Sequence, residues 1–307
     1  MEIQNTTILS IGECMVEMSP VDSQTFHMGF AGDTFNTAWY LARLMPSPWK
    51  TSFLSRVGTD TVSNNMVDFV TASGISVDCI SRSDSKTVGL YMIHRDNGER
   101  SFSYWRENSA ARDLASDAAQ LSQMIAGVGV VYFSGITVAI LRAEGRSNLY
   151  AALTQARAAG CVVVFDPNLR PKLWSDTDTM CAEITRAAGC ADIVLPSFED
   201  EADYFSDADT QATADRYLTG GAGLVIVKNG AGEVLASDAE TGSVVFSPKV
   251  VETPVDTTAA GDSFNAGFMA AYFTGAGIAE SLNAGAQLSA TVISHAGALV
   301  EATPDIR

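Results

Sequence analysis

The chain opens on an apolar run, Ile8-Leu9-Ser10-Ile11, that stops at Gly12-Glu13, and runs of this kind recur along its length. Val128 to Ser134, Cys161 to Phe165, Ile193 to Leu195 and Leu224 to Val227 are short and apolar, as strands buried on both faces are. Between them lie segments with helical patterning, from about Arg142 to Ala159, Thr177 to Ala188 and Asp209 to Leu218. This alternation predicts a mostly parallel sheet with helices on both faces and right-handed crossovers, with ligands gathering beyond the strand C-termini. Two stretches break the rhythm. Cys14 to Met18 alternates, as a strand leaving the core would, and Thr87 to Arg106 reads as two alternating runs joined by Asp96-Asn97-Gly98-Glu99, an Asn-Gly hairpin signal. A period of two puts Gly89, Tyr91 and Ile93 on one face of the first run and Phe102, Tyr104 and Arg106 on one face of the second.

Composition narrows the partners. The 307 residues suffice for one large or two modest domains, and 47% hydrophobic with 18% charged residues is ordinary for a soluble globular protein. A net charge of −17, from 19 basic and 36 acidic residues, argues against nucleic acid or an anionic membrane, so an anionic ligand has to be met by local cations and helix starts. Cys14, Cys79, Cys161, Cys181 and Cys190 are odd in number and form no C-x-x-C pair, which points away from a disulfide framework or zinc and towards a reducing cytosol. The start is too short and uncharged for a signal peptide, and no run of about 18 apolar residues occurs, so a soluble, cytoplasmic protein is expected. There is no G-x-x-x-x-G-K-[ST], no G-x-G-x-x-G after a strand and no G-x-S-x-G, and His27, His94 and His295 have no metal spacing.

The candidate chemistry centres on Val255-Asp256-Thr257-Thr258-Ala259-Ala260-Gly261-Asp262-Ser263-Phe264-Asn265, which leads into a helix-like segment reaching Phe273. Small side chains at Ala259, Ala260 and Gly261 let backbone N–H groups approach a ligand, and a helix start with bare amides attracts an anion. Asp262, in that same turn, sets a carboxylate facing the anion, an awkward place for a second negative charge unless it takes a proton from a nucleophile. The combination points to phosphoryl transfer to a hydroxyl, against the plainer reading of an N-cap at Asp256 or Thr258 with a turn glycine. Near the other end, Gly32 permits close backbone approach, while Asp33 and Asn36 suit the hydroxyls of a polyol, or Asp33 simply caps the helix that follows. A flat hairpin bearing Tyr104 and Arg106 suits a lid over a polar, anionic substrate, with Trp105 read as packing against a neighbour.

Three loops fall at predicted strand ends. Asp166-Pro167-Asn168-Leu169-Arg170 offers Arg170 to a phosphate and Asn168 to a hydroxyl or a metal-bound water, unless Arg170 is a surface residue behind a proline turn. Pro196 to Glu201 carries three acids, which an acidic first helical turn also explains. Lys228-Asn229-Gly230-Ala231-Gly232-Glu233 is either a ligand loop or a glycine hairpin turn.

The string D-T-T-A-A-G-D-S-F-N-A-G resembles the second signature of the ribokinase-like, or PfkB, family of carbohydrate kinases, and the Gly32 stretch resembles the first, with Ala31 in place of its first glycine. The resemblance runs from Gly12 to about Ala298. It implies a single ribokinase-like α/β domain over 1–307 with lid strands from about 12–33 and 87–108. Asp262 becomes the catalytic base, Ala259 to Gly261 the anion loop whose Ala260 and Gly261 amides hold developing charge, and Gly32, Asp33 and Asn36 the sugar site. Many members have glycine where Ala259 stands, and the methyl is acceptable if Ala259 keeps a negative φ.

Tyr104-Trp105-Arg106-Glu107-Asn108-Ser109-Ala110-Ala111 looks like the segment by which members acting on 2-keto-3-deoxygluconate hold their substrate, and Arg106 suits a sugar-acid carboxylate. The resemblance thus implies transfer of the ATP γ-phosphate to the 6-hydroxyl of that sugar acid, gripped by Tyr91, Tyr104 and Arg106, with Arg170 and Mg²⁺ on the phosphates. It further implies that Lys228, Gly230 and Gly232 approach ATP, although Glu233 replaces an expected glycine, and that Asn283 to Ser294 walls the adenine. A family N-x-x-E motif that influences magnesium is altered here: Ser197 replaces Asn, spacing selects Asp200 and context selects Glu201. By analogy Asp256 and the Thr258 carbonyl hold a monovalent cation such as K⁺, and the lid sheet offers a homodimer surface. The alternatives are a kinase of a neutral sugar such as fructose or ribose, and a catalytically silent sugar- or nucleotide-binding regulator of the same fold.

Overall fold

A computed structural model describes residues 3, 5–22, 24–96 and 99–301. The first apolar run forms β1 (Thr7–Ile11), and the alternating stretch beyond Gly12 leaves the core as β2 (Met15–Pro20) and returns as β3 (Phe26–Ala31). Then follow α1 (Asp33–Leu44), β4 (Lys50–Gly58), α2 (Thr61–Ala72) and β5 (Ile80–Ser83). The hairpin strands are β6 (Leu90–Asp96) and β7 (Glu99–Trp105), while the expected turn residues Asn97 and Gly98 lie outside the described residues. The strand and helix rhythm continues through α3 (Ala118–Ile125), β8 (Val130–Ser134), α4 (Gly135–Ile140), α5 (Ala143–Ala158), β9 (Val162–Asp166) and α6 (Thr177–Ala188). It closes with β10 (Ile193–Val194), α7 (Phe198–Phe205), α8 (Thr210–Thr219), β11 (Leu224–Val227), β12 (Val234–Asp238), β13 (Gly242–Phe246), α9 (Ala260–Phe273) and α10 (Ile278–Ile293).

Nine strands form one sheet in the order β13-β12-β11-β10-β9-β8-β1-β4-β5. From β5 to β11 all neighbours are parallel, whereas β12 and β13 close one edge antiparallel. The antiparallel edge has a local cause. The Gly232 N–H bonds the Asn229 carbonyl at 2.7 Å, and a connection so short can only reverse the chain. Because β1 lies between β4 and β8, the chain leaves it towards one side and later towards the other, so a crevice opens beyond its C-terminal end.

Strands covered on both faces need apolar residues in both directions, and they have them. In β8, Val130 and Tyr132 enter the core beneath α1, α9 and α10, while Val131 and Phe133 enter the core beneath α5 and α6. Helices α9 and α10 cross closely because a Cβ at Gly267 would stand 2.8 Å from the Ala284 carbonyl oxygen, and one at Gly285 2.8 Å from that of Phe264. The lid strands make a separate four-stranded sheet, β3-β2-β6-β7, in which only β2 and β6 are parallel. Among the described residues no helix is long and apolar enough to cross a membrane.

Candidate active site

A cleft of about 470 Å³ lies between the two sheets, where the starts of α1 and α9 meet the chain beyond β9 and β11. Gly32, Asp33, Asn36, Tyr91, Tyr104 and Arg106 border it on one side, and Asn168, Arg170, Asp200, Lys228 and the Thr257–Asp262 turn on the other. Residues far apart in the sequence are thus brought to one place. Gly32 is required by close approach, since a Cβ there would fall 2.1 Å from the Glu13 carbonyl oxygen.

The turn before α9 departs from expectation at Ala259. It has φ 60° and ψ 18°, in the left-handed region, so the negative φ expected for an alanine here is not observed. The Asp256 carboxylate accepts the Thr258 N–H at 3.0 Å within the turn and the Gly297 N–H at 2.7 Å from the chain beyond α10, tying the turn to that second segment. The Ala260 N–H is drawn into the turn by the Thr257 carbonyl at 3.2 Å, which sets it apart from the Gly261 amide expected to act beside it. The Gly261 and Asp262 amides lie in the first helical turn, where a helix supplies no carbonyl partner.

Asp262 Oδ2 accepts the Asn36 side-chain N–H at 2.8 Å, and its backbone carbonyl accepts the Thr37 hydroxyl at 3.2 Å. Burial, followed by Asp33, raises its pKa to about 8, opposed by the Asn36 bond and Lys228. Asp33 is raised as well, chiefly by burial, and its Oδ2 accepts the Asn168 side-chain N–H at 3.0 Å. Asn168 itself has φ 36°, a conformation asparagine tolerates better than most residues, braced by its N–H to Asp166 Oδ1 at 3.1 Å.

Behind these stands a buried network that sequence reasoning missed. Lys228 Nζ donates to Asp166 Oδ2 at 3.2 Å and Asn265 Oδ1 at 3.1 Å, and the Asn265 amide donates to Asp166 Oδ2 at 2.6 Å and the Tyr132 hydroxyl at 3.1 Å. Lys228 Nζ also lies 3.7 Å from where a Cβ on Gly261 would stand, so the ammonium sits beside the anion turn. Asp166 and Asn265 were visible only as members of the two strings quoted for Arg170 and Asp262. Glu13 was missed too. It is 2% exposed, and Arg106, 8% exposed, donates Nε to Glu13 Oε2 at 2.9 Å and Nη2 to the same oxygen.

Other expected residues are placed variously. The Tyr91 hydroxyl bonds the Glu17 carboxylate and its ring lies 5.9 Å from that of Tyr104, which is 52% exposed. Arg170 is exposed at the rim and donates to the Leu169 carbonyl at 2.6 Å. Asp200 borders the cleft, its pKa raised by burial against the opposing pull of Arg170 and Lys228. Glu201 does not belong to the site: it is fully buried against Arg216 at 2.6 Å and the Tyr217 hydroxyl at 2.9 Å. Gly230 and Gly232 sit in the exposed β11–β12 hairpin turn and do not line the cleft, which leaves Lys228 as the part of that loop that does. Trp105, expected to pack against a neighbour, is 59% exposed. Among the described residues no group of three or more His, Cys, Asp or Glu is set to hold a metal ion.

A carboxylate, a buried ammonium and an open helix start at the switch point of a parallel sheet, under a β lid, define the class: an α/β carbohydrate kinase. The chain belongs to the pfkB family of carbohydrate kinases, whose family model matches residues 5–305. It is 36% identical over 309 residues to the 2-dehydro-3-deoxygluconokinase of Dickeya dadantii (strain 3937), covering 97% of this chain and 98% of that protein. A fructokinase of Rhizobium leguminosarum bv. trifolii is 31% identical, over 86% of this chain and 78% of its own. Of solved structures, the fructokinase with bound ATP from Xylella fastidiosa shares the fold, with a TM-score of 0.81 at 24% identity over 96% of this chain and 94% of that one.

Proposed function

We propose that the chain is an ATP-dependent kinase of 2-keto-3-deoxygluconate, giving the 6-phosphate and ADP. The observation that carries the choice of an acid is Arg106, which reaches the cleft from the lid with its Nε and Nη2 edge held by Glu13. A guanidinium has five N–H donors, so the edge beyond those two bonds remains for a substrate carboxylate. A neutral sugar offers it hydroxyl oxygens but no charge to pair with. The name borne by the Dickeya dadantii relative agrees.

In this reading the 6-hydroxyl oxygen attacks the γ-phosphorus of ATP, the bond from that phosphorus to the bridging oxygen breaks, ADP leaves, and Asp262 takes the hydroxyl proton. Lys228, Arg170 and the Gly261 amide stand against the phosphates, so positioning and charge supply most of the rate. Tyr104 and Asp33 flank the sugar. Mg²⁺ would neutralise phosphate charge; it is usually held by one or two carboxylates together with the phosphates, and Asp200 at the rim suits that role. Helix α10 is a candidate wall for the adenine. Asp256 and Thr258 remain the candidates for a K⁺ that orders the turn, and the exposed Met28 and Trp105 of the lid sheet, away from the cleft-lining Phe102 and Tyr104, suit a homodimer.

Replacing Arg106 by alanine would leave Glu13 buried and unpaired, so Arg106→Lys is the better test. Lysine keeps a charge for Glu13 and loses the fork. Steady-state kinetics should show KM for the sugar acid rising about tenfold, the loss of roughly one charge-assisted bond, with fructose phosphorylation nearly unchanged. Equal losses on both would contradict a carboxylate role.

A further inference from the structure

Asn36 lies one turn into α1 and is 5% exposed. Its side-chain oxygen accepts the Gly32 N–H at 3.3 Å, and its amide nitrogen donates to Asp262 Oδ2 at 2.8 Å. An amide whose oxygen is committed to an N–H has only donors at its other end, so Asp262 Oδ2 accepts and is the disfavoured oxygen for a proton. The next residue, Thr37, donates its hydroxyl to the Asp262 carbonyl at 3.2 Å. Two successive side chains of α1 therefore hold the side chain and the backbone of one residue on α9. Of the two carboxylate oxygens, Oδ2 is occupied and Oδ1 is left to the cleft.

We infer that Asn36 is a positioning residue for Asp262: it fixes the carboxylate rotamer and reserves Oδ1 for the proton of the substrate hydroxyl. This rests on the reading of Asp262 as the base and is independent of which sugar is phosphorylated. It differs from a role in gripping sugar hydroxyls, which would act on substrate affinity. The electrostatic setting gives the bond its weight. Asp33 from α1, Asp166 at the end of β9, Tyr132 of β8, Tyr40 of α1 and Lys228 beyond β11 all bear on Asp262. Two further carboxylates against one ammonium disfavour the charged base, and the Asn36 donor opposes them without adding charge.

The test is the pH profile of kcat/KM for the sugar at saturating ATP, measured for Asn36→Ala and for the isosteric Asn36→Asp beside the wild type, with melting temperature and ATP affinity as checks on folding. The acidic limb should move up by about one pH unit in Asn36→Ala and further in Asn36→Asp, which sets a third carboxylate at the base. Below the limb kcat should fall at least about tenfold, while KM for the sugar stays within about threefold. Three outcomes overturn the inference: a raised sugar KM with an unmoved limb, which makes Asn36 a sugar ligand; unaltered kinetics; or joint loss of melting temperature, ATP affinity and activity in both variants, which makes it structural. Asp262→Asn, run in parallel, separates the two levels. Retained activity there removes the base itself, whereas an inert Asp262→Asn with unmoved Asn36 profiles removes only this role.

Discussion

Ala259 holds a backbone conformation that glycine adopts freely, at φ 60°, in a turn that Asp256 ties to the chain beyond α10 through the Thr258 and Gly297 amides. An L-residue there costs about 1–2 kcal/mol, and glycine would give back roughly 0.4–1 kcal/mol by loosening the unfolded chain. Ala259→Gly should therefore stabilise the protein by about 0.5–1 kcal/mol, raising Tm by about 1–3 °C. A calorimetric scan showing a lower Tm would refute that account of the turn. The residue types of the turn were legible in the sequence and its φ was not, since small residues signal a close approach without saying which of them turns. Asp262 was legible in the same way: its place at a helix start could be read, but not its raised pKa, which needs burial and Asp33.

At the scale of elements, α7 shows why neighbouring acids part company. Successive helical residues point about 100° apart, so Asp200 faces the cleft while Glu201 turns into the protein against Arg216 and Tyr217. Spacing and context pointed to different residues, and only the packing of α7 against α8 separates them. Arg216→Ala should destabilise the fold by about 3 kcal/mol by stranding a buried carboxylate, with kcat of the folded enzyme unaltered. Asp200→Ala should leave Tm alone and raise the Mg²⁺ needed for half-maximal rate several-fold. Paired melting curves and Mg²⁺ titrations check both, and a reversed pattern would exchange the roles. The parallel strands were readable from their apolar runs, whereas the antiparallel edge was not, because Asn229 to Gly232 suits a ligand loop and a hairpin turn equally well.

For the whole molecule, sequence alternation conveyed the layers and the side of the sheet on which loops would meet, but not the pairs that make the site. Arg106 and Glu13 are 93 positions apart, Asp166 and Asn265 99, and Asn36 and Asp262 226, so no local pattern contains them. They exist only once β1 is set between β4 and β8 and α9 is laid against α1. The same assembly sets Arg106, Arg170 and Lys228 in one cleft with Glu13, Asp33, Asp166, Asp200 and Asp262, so in a chain with net charge −17 an anion is met by individually placed cations and helix-start amides and not by a net positive field. The central claim is that this cleft phosphorylates a sugar acid with Asp262 as base. A coupled ADP-release assay with 2-keto-3-deoxygluconate, fructose and ribose, run on the wild type and Asp262→Asn, tests it most directly. The expected result is a kcat/KM for the sugar acid at least about a hundredfold above that for either neutral sugar, a difference near 2.7 kcal/mol, and no turnover by Asp262→Asn. A preference for fructose or ribose, or an Asp262→Asn enzyme within tenfold of the wild type, would contradict it.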